Sequence, residues 1–250
     1  VVERPGALVI EDTAEVRRLL CEVLRMAGFE VSEADTGAEG LDLVERRRPD
    51  LVTLDLMLPD MDGIEVCRRL RGMTSAYVIM LSGRTDEADR LIGLEVGADD
   101  YMTKPFSPRE LRARVAAMFR RPRREPEGAF PERAGVHEFA DLVVDEESRE
   151  VHLAGRPVPL TRIEFDLLVL FVSNPRRVWP RETLTRAIWH TDWPGNAHVI
   201  DVHIANLRRK LGDDARSGRW VRTVHGVGYR FGGGGDMRDG PDSRSAVRDR

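Results

Sequence analysis

Lysine is almost missing from this chain: of its 39 lysine and arginine residues only two are lysine, Lys104 and Lys210. Arginine presents a broad planar fork, whereas lysine offers a compact point charge on a flexible stem. A lysine kept in so arginine-rich a background points to a tight pocket holding one small anion. Cysteine is as scarce. Cys21 and Cys67 each lie in an amphipathic helical pattern and read as reduced, packed thiols, which argues against a disulfide framework or a metal finger. No apolar run approaches the roughly 18 residues of a membrane span, and the N-terminus lacks the apolar core of a signal peptide. The expectation is a cytoplasmic protein with no membrane partner. At 250 residues, 41% hydrophobic and 33% charged, the chain is long enough for two modest domains, each with its own core. Its net charge of -4 hides an asymmetry: residues 1–121 carry 18 basic against 23 acidic side chains, while residues 198–231 carry seven against three. An acidic front and a basic stretch near the end call for different partners.

Residues 7–121 alternate apolar strands, at Ala7–Ile10, Glu30–Ala34, Leu51–Leu54, Tyr77–Leu81 and Asp100–Thr103, with helix patterns near 13–27, 37–48, 63–71, 86–96 and 108–120. Five such units imply a parallel, doubly wound sheet covered by helices on both faces. The last helix opens on Ser107-Pro108-Arg109-Glu110, a capping serine, a first-turn proline and a glutamate three residues after the cap. Residues 122–135, rich in proline, glycine and mixed charge, read as a linker. Beyond it the pattern predicts a small antiparallel sheet over His137–Thr161, then a capping box at Thr161-Arg162-Ile163-Glu164 opening a helix to about Ser173. Helices near 181–189 and 197–211 and a hairpin from Trp220 to Phe231 follow. From Gly232 on, glycines and alternating charges cannot bury a core, so residues 232–250 are expected to be a disordered tail.

In a doubly wound sheet, ligands bind beyond the carboxyl ends of the strands. Those ends are Glu11 and Asp12, Asp55, Ser82 and Lys104. With a flavodoxin-like strand order 2-1-3-4-5, all five converge on one edge. Three crowded carboxylates repel one another and favour a hard dication, for which Mg²⁺ is the expected ion. Asp55 ends the nearly all-apolar strand Leu51-Val52-Thr53-Leu54 and is the best nucleophile, with Ser82 and Lys104 placed to bind the oxygens of a phosphoryl group on its carboxylate.

The motifs that carry this site are Glu11-Asp12, Leu54-Asp55-Leu56-Met57-Leu58-Pro59-Asp60-Met61-Asp62-Gly63, Leu81-Ser82-Gly83-Arg84 and Gly97-Ala98-Asp99-Asp100-Tyr101-Met102-Thr103-Lys104-Pro105-Phe106. Over roughly residues 6–121 they resemble the receiver domain of two-component response regulators. The resemblance implies that Asp55 accepts phosphate from a sensor histidine kinase, that the Met57 carbonyl joins Glu11, Asp12 and Asp55 around Mg²⁺, and that Ser82 and Tyr101 reorient afterwards. Ser82 stands where Thr is frequent, and Glu11 where Asp is an alternative. A haloacid dehalogenase also uses an Asp nucleophile after an apolar strand, but it wants a second Asp two residues on, where Met57 stands. No enzyme is expected.

The helix over 197–211 has an inner stripe of Ile200, Ile204, Leu207 and Leu211. Its other side carries His198, Val202, Ala205, Asn206 and Arg209, flanked by His203 and Arg208, a mixture suited to the major groove. Arg222, Thr223, His225, Tyr229 and Arg230 in the hairpin supply phosphate donors where a wing would flank that groove. Residues 136–231 resemble the winged-helix effector domain of the OmpR/PhoB subfamily, through Leu160–Leu168, Val199–Leu211 and Thr223–Arg230. His198 and His225 stand where Arg is usual and Asn206 where it is common, which predicts a shallower salt dependence of DNA binding. The subfamily dimerises through its fourth helix, fifth strand and fifth helix, which implicates Arg90, Glu95, Asp99, Asp100, Glu110 and Arg114 in a two-fold contact. The expected architecture is therefore an α/β flavodoxin-like (βα)5 receiver domain (1–121) plus a C-terminal α+β winged-helix DNA-binding domain (136–231). The expected function is a phosphorylation-dependent transcriptional regulator that dimerises and binds double-stranded promoter DNA, with RNA polymerase held open as a further partner. The other reading is a constitutive DNA-binding regulator whose receiver does not switch.

Overall fold

The structure is a computed structural model, and it describes residues 4–83, 87–119, 135–189 and 198–234. The chain opens with five strand–helix units: β1 (Gly6–Ile10), α1 (Ala14–Met26), β2 (Glu30–Ala34), α2 (Gly37–Arg47), β3 (Leu51–Asp55), α3 (Gly63–Met73), β4 (Tyr77–Ser82), α4 (Glu87–Glu95), β5 (Asp100–Thr103) and α5 (Pro108–Met118). The sheet runs β2-β1-β3-β4-β5 with every pairing parallel. Alternate strand residues feed opposite faces. Ala7, Val9, Ile79 and Leu81 meet Leu20 and Leu24 of α1 and Val115 of α5. Leu8, Ile10, Val78 and Met80 meet Val44, Val66, Leu70 and Leu94 on the other side. Central β3 is buried along its whole length, as a strand covered on both faces must be.

The register pairs Ile10 with Leu54, Asp55 with Leu81 and Ser82 with Thr103, so the strands finish level with one another. Gly63 lets α3 start hard against the end of β3: a Cβ there would lie 2.3 Å from the Asp55 carbonyl oxygen and 2.6 Å from the Leu56 Cα. At the start of α5, Ser107 accepts from the Arg109 N–H at 3.2 Å. The Glu110 carboxylate turns instead to Arg114 (2.6 Å), so only half of the expected capping pattern forms there.

The second half begins with the antiparallel meander β6 (Val136–Phe139), β7 (Leu142–Asp145), β8 (Glu150–Leu153) and β9 (Arg156–Pro157). There follow α6 (Arg162–Ser173), β10 (Trp179–Pro180), α7 (Arg181–Trp189), α8 (His198–Lys210), β11 (Val221–Val224) and β12 (Gly228–Phe231), with a second sheet ordered β10-β12-β11. The capping box at Thr161 is complete: its hydroxyl accepts from Glu164 N–H, and the Glu164 carboxylate accepts from Thr161 N–H. The apolar stripe of α8 is fully used, with Ile200, Ile204, Leu207 and Leu211 all buried beside Leu168, Phe171 and Trp220. Two-residue β10 has no counterpart in the sequence reading, since Trp179-Pro180 is too short to show a period.

Most of the expected linker and of the tail, residues 122–134 and 235–250, lies outside the described residues. Gly232 and Gly234, placed in the tail by sequence, donate backbone hydrogen bonds to the carbonyls of Trp220 (2.8 Å) and Arg219 (3.0 Å). Among the described residues no helix is long and apolar enough to cross a membrane.

Among the described residues the two halves meet between α4 and α8, between α5 and α7, and at the start of α6. Asn206 of α8 donates to the Leu94 carbonyl at the end of α4 (3.1 Å). At the start of α6, Arg162 pairs with Asp50 (2.8 Å), and the Tyr77 hydroxyl donates to Asp166 (3.3 Å). Phe119 stacks edge-on against Phe29 and Tyr77, and the Arg162 guanidinium lies 5.1 Å from the centre of the Tyr77 ring.

Candidate functional site

The level strand ends bring Glu11, Asp55, Ser82 and Lys104 to one rim, and all but the lysine are buried. Glu11 leaves the end of β1, Asp55 ends β3, Ser82 ends β4 and Lys104 follows β5. The Lys104 ammonium lies 2.8 and 2.6 Å from the two Glu11 oxygens and 2.8 Å from Asp55 Oδ2. Asp12 stands at the mouth, exposed, and its carboxylate comes within 4.8 Å of those of Glu11 and Asp55. The Met57 N–H reaches Asp55 Oδ1 at 3.3 Å. The Met57 side chain is exposed, and its backbone bridges to Asp62 across the loop.

Charge explains the protonation pattern. Burial pushes the Glu11 carboxyl above its usual range and the nearby Asp55 charge adds to this, while Lys104 pulls the other way. Burial also works against the Lys104 ammonium, but its bonds to Asp55 and Glu11 outweigh that and hold it above the usual lysine value. Among the described residues the rim thus sets the Lys104 ammonium against three carboxylates, a surplus of negative charge on hard oxygen donors that fits a small divalent cation. Tyr101 is buried in the core facing α3 and α4.

The neighbouring α4–β5–α5 face carries the residues read as a two-fold contact. Asp99, Asp100 and Arg114 are buried in this arrangement. Asp99 pairs with Arg71 of α3 and accepts from the Val78 N–H. Asp100 pairs with Arg114, which also holds Glu110. Glu95 is exposed, and Arg90 lies in α4 with its side chain outside the described residues. Asp99, Asp100, Glu110 and Arg114 find partners within their own domain.

The groove-reading residues divide in the same way. His203 and Asn206 are buried against the first domain. The His203 ring lies 5.9 Å from that of Trp189, and burial holds it below the usual histidine value although the Asp99 and Glu164 charges favour its cation. Val202 is half-buried against the receiver-side core. Arg208 turns into its own domain, donating to the Val221 carbonyl and the Thr223 hydroxyl, and ties α8 to β11 in this arrangement. Tyr229 is likewise buried, its hydroxyl donating to Asp201 (2.6 Å). Ala205, Arg209 and His225 are exposed, Arg222 and Arg230 half-buried, and His198 begins α8 with its side chain outside the described residues. Sequence reasoning missed Arg17, Arg71, Asp50 and Asp166. Their partners are backbone carbonyls or residues far along the chain, which no local spacing reveals.

Comparison with known proteins agrees with this layout. Residues 7–116 match the response regulator receiver domain, and residues 155–231 the family described as transcriptional regulatory protein, C terminal. The chain is 42% identical over 229 residues to the DNA-binding response regulator MtrA of Mycobacterium tuberculosis, covering 92% of this chain and 97% of that protein. It is 41% identical over 238 residues to the transcriptional regulatory protein CseB of Streptomyces coelicolor, covering 92% and 99%. Among solved structures, a RitR mutant superposes with a TM-score of 0.72 at 25% identity, covering 91% of this chain and 98% of that one.

Proposed function

The chain belongs to the DNA-binding response regulators of the OmpR/PhoB type, phosphorylation-dependent transcriptional regulators of two-component systems with a kinase and DNA as partners, and on that premise we propose how its own residues carry the switch. Asp55 is the phosphoacceptor. One of its carboxylate oxygens attacks the phosphorus of a phosphohistidine on the kinase. The new O–P bond gives an acyl phosphate, and the N–P bond to the histidine breaks as its nitrogen keeps the electron pair. Lys104 and Ser82 bind the oxygens of the transferred group. Glu11, Asp12, Asp55 and the Met57 carbonyl would hold Mg²⁺, which when bound neutralises charge on those oxygens. The observation that carries this reading is the Lys104 ammonium bonded to both Glu11 and Asp55, a compact cation on a rim of carboxylates.

The second half of the proposal concerns the docked helix. With Asn206 on the Leu94 carbonyl and His203 buried, α8 cannot enter a major groove. Phosphate on Asp55 shifts Ser82 and Tyr101, loosens the α4–β5 region and frees α8. The released α4–β5–α5 face then meets a second copy, with Arg90, Glu95, Asp99, Asp100, Glu110 and Arg114 available to exchange partners, and two winged helices engage two half-sites in the cytoplasm. His198, Val202, Ala205, Asn206 and Arg209 then face the bases, and Arg222, Thr223, His225 and Arg230 the phosphates. The complete set of carboxylates beside Lys104 speaks against a receiver that does not switch. The test is labelling by a small phosphodonor in Mg²⁺: wild type is expected to take up one phosphoryl group and Asp55→Asn none. Equal labelling of the variant would remove Asp55 from this role.

A further inference from the structure

Glu11 and Asp12 are consecutive residues leaving a strand, and in extended chain their side chains would point to opposite faces. Here their carboxylates come within 4.8 Å of each other, so the backbone must turn sharply between them. One nitrogen holds that turn. Arg17 Nη1 donates to the Glu11 carbonyl at 2.7 Å and to the Asp12 carbonyl at 3.0 Å. The guanidinium is anchored from behind by Glu33 of β2, with Nε 3.6 Å from Oε2, and the same Glu33 oxygen accepts from the Cys21 thiol at 3.6 Å. The side chain is mostly covered, 19% exposed.

The helix itself gives no reason for this placement. Arg17 is the fourth residue of α1, and a cation near a helix N-terminus opposes the macrodipole. Thr13, at the cap position, makes no side-chain cap bond, and its hydroxyl instead donates to Asp12 Oδ1. The first turn of α1 is therefore arranged to serve the loop before it. We propose that Arg17 is a positioning residue for the divalent cation: it grips two successive carbonyls so that Glu11 and Asp12 present their carboxylates to the same pocket as Asp55. It touches neither phosphate nor metal. The inference rests on the metal reading of the rim given above.

The test uses the full chain and Mn²⁺ as the probe, with affinity read by electron paramagnetic resonance and thermal unfolding in EDTA read in parallel. Arg17→Met keeps the covered methylene stem and loses the fork. Removing an outer-shell partner of this kind is expected to weaken Mn²⁺ binding about tenfold, with the unfolding midpoint in EDTA nearly unchanged. Arg17→Lys supplies a donor without the planar fork and is expected to fall between, at least about threefold weaker than wild type. Should Arg17→Met fail to fold, that variant carries the test alone. Wild-type affinity in Arg17→Met, or in Arg17→Lys where it alone folds, would overturn the proposal. If wild type itself binds no Mn²⁺, or Asp55→Asn binds it as well as wild type, the metal reading fails, and the proposal with it.

Discussion

At the scale of single residues, Lys104 carries the most weight. It is bonded to two buried carboxylates that repel each other, so removing it leaves charge uncompensated in a covered site. Lys104→Met is expected to destabilise the protein by on the order of 1–3 kcal/mol in EDTA, and added Mg²⁺ should shrink that loss by neutralising the same oxygens. Thermal unfolding with and without Mg²⁺ checks this, and a loss unaffected by the ion would separate Lys104 from the cation site. Lys104 stood out in the sequence because lysine is so scarce, and the rim carboxylates were legible because each closes an apolar strand. Arg17 was not legible: its partners are main-chain carbonyls, and one arginine among many gives no compositional signal. The internal partner of Arg208 was not legible for a related reason: in this arrangement its fork is held by the Val221 carbonyl of β11.

At the scale of elements, α8 does two jobs with one surface. Period alone showed which stripe is core, and Ile200, Ile204, Leu207 and Leu211 are buried as read. Period could not show that His203 and Asn206 on the other side are covered as well, because that cover comes from the α4–β5 region, more than a hundred residues earlier. His203 makes this contact sensitive to pH. It faces Asp99 just before β5, Asp100 of β5, Glu164 of α6 and the Trp189 ring of α7, and although the carboxylates favour its cation, burial wins and lowers its value from the ordinary 6.5. The docked form therefore binds its proton less readily than the released form. Docking is fully favoured above 6.5 and weakens as pH falls from there through the lowered value. Small-angle scattering should show wild type expanding as pH drops through this window, while His203→Phe, neutral at every pH, should not. Equal expansion of the two proteins would place the sensor elsewhere.

At the scale of the whole molecule, the polar contacts described between the halves are individually modest, and buried apolar side chains of both halves join one continuous cluster. The Asn206–Leu94 hydrogen bond is worth about 1 kcal/mol. The Arg162–Asp50 pair, with side chains 26% and 39% exposed, is worth about 0–1 kcal/mol after screening. Turning such an arrangement over, from about 1:99 to 99:1, takes about 5.5 kcal/mol, within reach of a charge placed on Asp55 and a dimer contact formed in exchange. The architecture of each half was open to sequence reasoning because strand and helix periods are local. The closed arrangement was not, since it depends on Asp50, Tyr77, Leu94 and Phe119 meeting residues of the second half. The most direct test is hydrogen exchange along α8 in the full chain, before and after treatment with a small phosphodonor and Mg²⁺. The expected result is protection at Val202–Asn206 that is lost on phosphorylation of wild type and retained in Asp55→Asn. Protection that persists in fully phosphorylated wild type would contradict the switch.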